Sequence, residues 1–442
     1  MIFVLIIIAI YYNTGIIKTM LKSKFNYLID RGTALFGIDM KYFVSGGFWT
    51  AFNQLINGLL SFLLVIVFAN LLPKETYGVY TYLLSLAGFF TVFTLSGMST
   101  AVLQAVASGN NGILKSSVKY QIKWNFVMTA ALFGLAGYYF WQYNYTFAIS
   151  LLILGVASPL TNALNTYGAF LIGKKNFKLD SLFSSFSVLV YSLGMIAAIL
   201  VSKEVWWLIL VYSLTTLVTN IFFYFKTLRI YNPPETESPE TIKYGWQLTF
   251  IGFISPIVGQ IDKIVLGSFW GPAELAVYFL ARAIPDRAYL YIKELISVGL
   301  PKLAERTIED INAVFYKRIL QGLAIGILAA GAYILISPLL FKYLLPQYLE
   351  SVRYSQILSL VFIFAAPARY IGSLFTIKKM VRPVVIANLI ANTFKIILYV
   401  VLGIWSGIMG LIITELIFQA AGLIINIALW KKEIPKISGL EK

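Results

Sequence analysis

Cysteine and histidine are both absent from this chain of 442 residues, and charged residues make up only 12% of it. The first absence excludes disulfides, thiol nucleophiles and the usual Cys/His metal sets, and says little about compartment. The second excludes an ordinary soluble domain, in which about a quarter of the residues are charged. In their place 59% of the residues are hydrophobic and the mean hydropathy is +0.80, the composition of an integral membrane protein. Acids are scarcer than bases, 19 against 35. The basic excess falls mostly in short loops, which makes it a topology signal rather than a nucleic-acid surface, so no nucleic-acid partner is expected. No nucleotide loop, metal-ligand cluster or Ser/His/Asp set is present; the reading is therefore a non-enzyme without metal or bound cofactor.

A span needs about 20 apolar residues. Twelve stretches qualify: 44–70, 77–103, 121–141, 146–172, 179–202, 205–226, 244–270, 275–300, 318–341, 353–377, 383–404 and 407–430. All nine Trp fall near the ends of these stretches, as expected of indoles at the headgroup level. Loop charge splits by side. Lys115, Lys119, Lys123, Lys174, Lys175, Lys178, Lys226, Arg229, Lys243, Lys302, Arg306, Lys317, Arg318, Lys378, Lys379, Arg382, Lys431, Lys432 and Lys436 share one side, against Lys74, Lys203, Lys342 and Arg353 on the other. The positive-inside rule makes the first side cytoplasmic and puts both termini there, in a multi-pass protein of the cytoplasmic (inner) membrane.

Residues 1–43 are read as an N-terminal extension with a basic interfacial helix, in which Leu21, Phe25, Leu28 and Phe36 recur at helical spacing; Met20 is an alternative start. Residues 44–226 form a first six-helix bundle and 244–430 a second. Residues 227–243, rich in Pro, Glu and Ser, suit a flexible cytoplasmic linker, and 431–442 a cytoplasmic tail. The bundles read as copies. Gly47-Phe48 and Gly245-Trp246 stand 198 positions apart, as do Val79-Tyr80 and Val277-Tyr278. Gly168 and Gly372, each followed by a pair of lysines, are offset by 204. Six helices per copy make the repeat parallel, and the fold class an all-α polytopic membrane protein with a cleft between two bundles.

Charge inside the spans is one-sided. Lys263, Arg282, Arg287, Lys293, Arg369 and Lys395, with the acids Asp262, Asp286, Glu294 and Glu415, all lie in the second bundle. A cation in a bilayer is costly and usually faces a cavity, a partner or a ligand. Asp262 lies about eight residues before the outer end of its helix and Arg282 about eight after the start of the next, so a rise of about 1.5 Å per residue predicts that they pair. Arg282, Asp286, Tyr289 and Lys293 form one helical stripe, with Arg287 and Glu294 beside it. Six cations against four acids leave a surplus, and arginine suits phosphate oxygens. The six cations are therefore candidate anion-binding residues. The four acids are candidates for ion pairs or for coupling to a proton or Na⁺. Asn53 and Asn57 share a helix face and are candidate sugar contacts, or else helix-packing residues. Pro256 and Pro285 interrupt the two charged helices as candidate hinges.

The segment Phe68-Ala-Asn-Leu-Leu-Pro-Lys-Glu-Thr-Tyr-Gly-Val-Tyr80 resembles a motif of the polysaccharide (O-antigen) flippase family, in the multidrug/oligosaccharidyl-lipid/polysaccharide exporter superfamily. Asp262-Lys-Ile-Val-Leu-Gly267 followed by Gly271-Pro-Ala-Glu-Leu-Ala-Val-Tyr278 looks like the second-half signature, with Ala276 where the family has Gly. The resemblance covers roughly 41–430. It implies a twelve-helix, MATE-like fold that flips a polyprenyl-pyrophosphate-linked glycan by alternating access, with Na⁺ or H⁺ as coupling ion and polysaccharide assembly proteins as further partners. Rival readings are a multidrug cation antiporter, which an acid surplus would favour, and a membrane glycosyltransferase or polymerase, which would need catalytic residues on a larger outer loop.

Overall fold

The computed structural model describes residues 40–236, 238–297, 306–377 and 381–438. The expected interfacial helix before the first span lies outside them. Fifteen helices lead through the described residues: α1 Met40–Leu71, α2 Lys74–Phe90, α3 Met98–Ala107, α4 Ile113–Trp141, α5 Tyr145–Leu164, α6 Thr166–Gly173, α7 Phe177–Val201, α8 Val205–Tyr231, α9 Pro239–Gly252, α10 Ile254–Phe269, α11 Pro272–Ser297, α12 Ile308–Leu344, α13 Ser351–Leu358, α14 Phe362–Ile377 and α15 Val381–Ser438. Several are halves of one crossing, so the helices amount to twelve passes. Among the described residues, nine stretches are both long and apolar enough to span by themselves. The last of these runs through Gly407, whose φ of 55° and ψ of −133° are not helical, and so holds two passes. α4 and α11 are long enough but carry more polar residues. The chain is an all-helical polytopic membrane protein. Large apolar side chains face outward in number, among them Leu335 at 78% exposure and Leu193 at 59%, as lipid contact requires.

Helix ends and breaks follow local chemistry. Asn144, Asn176, Ser238 and Thr307 cap α5, α7, α9 and α12 by accepting a backbone N–H. Proline removes the donor to the carbonyl four residues earlier. In α5, Pro159 frees the Gly155 carbonyl, and the Thr129 hydroxyl donates to it at 2.9 Å. In α12, Pro338 frees Ile334, and the Gln356 amide takes its place at 3.0 Å. Pro256 frees Gly252, the residue at which α9 ends, so the helix breaks one turn before the proline. Pro285 stays within a continuous α11. All but one of the nine tryptophans keep some exposed surface. Trp141 and Trp405 are exposed, whereas Trp430 is buried, stacked on Phe315 at 5.7 Å and hydrogen-bonded to Asn312.

Within the first half α1 packs on α7, α4 on α5, and α8 on both α5 and α7; within the second, α12 packs on α14 and α10 on α15. The halves meet where α2 lies against α10 and α11, and α3 against α9. The motif residues build this seam. A Cβ at Gly78 would stand 1.8 Å from the Pro272 carbonyl oxygen, so only glycine permits the approach. Tyr82 covers Gly267 and bonds Ser268 at 2.8 Å. At one end of the seam the Asn70 amide donates to the Leu344 carbonyl at 2.8 Å, and the Gln347 amide to the Asn70 carbonyl at 2.9 Å. Lys74 pairs there with Glu350. At the other end the connector is docked, contrary to the flexibility its composition suggests. The Thr236 N–H donates to the Gly112 carbonyl at 3.1 Å, the Ser116 hydroxyl to the Thr236 carbonyl at 2.8 Å, and Lys119 pairs with Glu235.

Candidate functional site

The helices α10 and α11 form a hairpin about Gly271, whose φ of +93° suits glycine. That turn brings Asp262 and Arg282 to one depth. Arg282 Nη1 lies 3.1 Å from Asp262 Oδ2, and the Tyr278 hydroxyl donates to the same oxygen at 2.8 Å. Arg282 also pairs with Asp286, Nε to Oδ2, at 3.0 Å. Lys263 Nζ reaches Asp262 Oδ1 at 3.4 Å and donates to the Gly259 carbonyl at 2.7 Å. Asp262 is 2% exposed; burial of that carboxylate is offset by two cations and a phenol.

A second cluster repeats the arrangement with the charges exchanged. α15 folds back at Gly407, and Lys395 Nζ comes 2.9 Å from Glu415 Oε2. The Tyr399 hydroxyl donates to that oxygen at 2.5 Å, as Tyr278 does to Asp262. In both hairpins the acid, the base and the tyrosine sit 20 and 16 positions apart across the turn. Phe418 lies 4.3 Å from the Lys395 ammonium and supplies a cation–π contact. Gln419 donates to Glu415 at 3.0 Å and accepts from Tyr289 at 3.1 Å, which ties α15 to α11. The depth rule that predicts Asp262–Arg282 applies equally to Lys395 and Glu415, and the sequence held that signal unused.

Of the six candidate cations, Lys263, Arg282 and Lys395 are thus engaged by carboxylates within the second half. Arg287 differs. It is half-buried on α11, makes no ion pair among the described residues, donates to the Ala283 carbonyl, and lies 5.4 Å from the Phe62 ring of α1, across the seam. Arg369 is half-buried on α14, two residues beyond Pro367. The side chains of Lys293 and Glu294 lie outside the described residues. Asn53 and Asn57 turn toward α7: Asn57 donates to Asn53 at 2.7 Å and to Ser184 at 3.0 Å, and Ser185 donates to Asn53 at 3.2 Å. In this arrangement they join helices.

The first copy lacks these charges at the corresponding positions. At the offset of 198, Asp262 corresponds to Leu64 and Arg282 to Leu84, while Tyr278 corresponds to Tyr80. Leu64 is buried and Leu84 packs on the same apolar core. The first copy keeps the tyrosine, its hydroxyl against that of Tyr191 at 3.4 Å, and closes its hairpin without an ionic network.

The described residues form two packed helical halves, with ion pairs buried among apolar side chains, in a polytopic membrane fold. The chain is similar to a MATE-family multidrug resistance transporter of the MOP superfamily in its outward-facing conformation, with 14% identity, a TM-score of 0.60, and 90% of this chain and 96% of the other covered. It is similar to the lipid II flippase MurJ in an inward closed conformation, with 16% identity, a TM-score of 0.63, and 89% and 90% covered. A third similar structure is a MOP superfamily transporter from Pyrococcus furiosus, described as having a binding pocket of reverse polarity, with 14% identity, a TM-score of 0.53, and 90% and 96% covered. At these identities the likeness is one of fold. No curated protein matches the chain. Over residues 43–285, more than half its length, the sequence matches the polysaccharide biosynthesis protein family, and the chain belongs to that family.

Proposed function

We propose that this protein flips a polyprenyl-pyrophosphate-linked oligosaccharide across the cytoplasmic membrane by alternating access between its two halves. The observation that carries the reading is Arg287, a half-buried guanidinium at the seam with no carboxylate partner among the described residues. Desolvated arginine in that setting favours a bidentate anion such as a phosphate group. Arg282, Lys263 and Lys395 are neutralised by their own carboxylates and act in this reading as scaffold. Family membership supports a polysaccharide substrate, and the transporter fold supports movement rather than bond chemistry. Basic loop residues gather on the connector's side, which supports a cytoplasmic placement of that side and of both termini. In this reading ion coupling falls to Asp286, which pairs with Arg282 but is 50% exposed, while the paired Asp262 and Glu415 are buried.

The test is transport of a fluorescent polyprenyl-pyrophosphate glycan in proteoliposomes. Wild type moves it, Arg287→Ala loses movement by roughly a hundredfold, the equivalent of about 3 kcal/mol of lost charge-assisted bonding, and Arg287→Lys keeps part of it. Wild-type rates in Arg287→Ala, with normal membrane insertion, would overturn the anion site. The same assay under an imposed proton or Na⁺ gradient reads coupling, and an accelerated rate that survives in Asp286→Asn would count against the carboxylate's role.

A further inference from the structure

A partly open cavity of about 420 Å³ is lined wholly by residues of the first half, from α3, α6, α7 and α8, toward the connector's end of those helices. Its wall includes Asp180, Asn165, Tyr167, Ser184, Ser187 and Asn220. Nothing in the charge network of the second half reaches it. Asp180 stands in the first turn of α7, where a carboxylate favours the helix dipole, so its presence there has a structural explanation. Two further features do not. Asn220 gives its amide hydrogen to the Thr216 carbonyl, yet its oxygen is buried with no partner. Gly168 faces the carboxylate, and a Cβ there would sit 3.2 Å from Asp180 Oδ1 with no other atom near. Ser184, in the wall, accepts from Asn57, which anchors that side of the cavity to α1.

We infer that this cavity is a carbohydrate subsite, one that takes a neutral or amino sugar unit and rejects a uronate. Amides and hydroxyls both donate and accept, which suits the mixed hydrogen bonding of sugar hydroxyls. The volume is that of a small-ligand pocket. Tyr167, braced by Phe183 at 6.2 Å and Phe223 at 6.1 Å, gives the wall one fixed aromatic member. Asp180 can only accept when ionised, so it favours hydroxyl and ammonium groups and repels a second carboxylate, and discrimination comes from that repulsion. The inference rests on the proposed glycan substrate and assigns its sugar end to the first half, while Arg287 at the seam takes the phosphate.

The experiment uses the full chain in nanodiscs and saturation-transfer NMR with methyl glycosides of glucose, galactose, N-acetylglucosamine, glucosamine and glucuronate. At least one neutral or amino glycoside gives signal in wild type and glucuronate does not. Gly168→Val, which fills the space before Asp180, loses the signal. Asp180→Asn, nearly the same shape, keeps the neutral glycosides and gains glucuronate. Absence of all signal in wild type, a signal unchanged by Gly168→Val in folded protein, or glucuronate bound as well as the neutral glycosides would overturn the subsite. The probes carry neither lipid nor phosphate. Sugar binding without glycolipid transport would therefore count against the flippase reading alone, and transport without sugar binding against the subsite alone.

Discussion

The two ionic clusters look alike but are not equally redundant. If Asp262 is removed, Arg282 keeps Asp286 and the Tyr278 hydroxyl, and Lys263 keeps the Gly259 carbonyl and the Gln260 side chain, whereas Lys395 has Glu415 as its carboxylate partner and is only 11% exposed. Removing one member of a buried pair costs about 3–5 kcal/mol when the other is stranded. Glu415→Ala is therefore expected to cost about that much, and Asp262→Ala less, about 1–3 kcal/mol, the range of a lost charged hydrogen bond. Thermal unfolding of both variants in one detergent checks the order, and a larger loss for Asp262→Ala would reverse the argument. Adding Lys395→Met to Glu415→Ala recovers much of the loss, because the stranded charge is gone. These residues were legible because ionisable groups are rare in spans and their depth can be counted along a helix. Asp180 was passed over for the same reason inverted: it follows Lys178 at a helix start, where a charge is ordinary, and only the cavity beside it makes it notable.

At the scale of elements, hydropathy located the passes because lipid imposes a length, and the helices overshoot the apolar stretches where their ends meet headgroups and water. α12 begins at Ile308, about ten residues before the apolar stretch. Its 37 residues make it about 55 Å long, well beyond the hydrocarbon thickness of about 30 Å. The break at Gly252 and the continuity of α11 through Pro285 were not legible, since both depend on what else reaches the freed carbonyl. The docked connector was hidden by composition: Pro, Glu and Ser read as flexible, but Gly112 leaves a space that Thr236 fills. A Cβ at Gly112 would meet the Thr236 hydroxyl at 1.5 Å. Gly112→Val is thus expected to release residues 232–236, seen as faster proteolysis of the connector, and unchanged cleavage would mean the docking is not held there. Acid acts in the same direction. The hydrogen bond from Lys119 holds the Glu235 carboxyl below its usual range. That contact is present at neutral pH and is lost as pH falls through the lowered value. Both groups are well exposed, so the connector loosens rather than the protein unfolding.

The whole molecule turns on whether its halves separate at the end where Asn70, Lys74, Leu344, Gln347 and Glu350 meet. The bonds there are few, and the Lys74–Glu350 pair is exposed, worth about 0–1 kcal/mol. The polar bonds of such a latch break at little cost, which suits the proposed alternating access. The glycine seam at Gly78 and Pro272 is the opposite: a tight backbone contact suited to rolling one half on the other rather than parting from it. If that end opens while the seam stays in contact, then a short covalent tie across the latch stops transport without disturbing the fold. The chain has no cysteine, so Lys74→Cys with Glu350→Cys introduces the only two thiols. Joining them with a bis-maleimide is expected to abolish glycan movement in proteoliposomes, with the uncoupled double variant and each single variant transporting normally. Full transport by the cross-linked protein would show that this end stays shut through the cycle. The path would then have to leave the halves elsewhere, and Arg287 at the seam would lose its claim on the substrate.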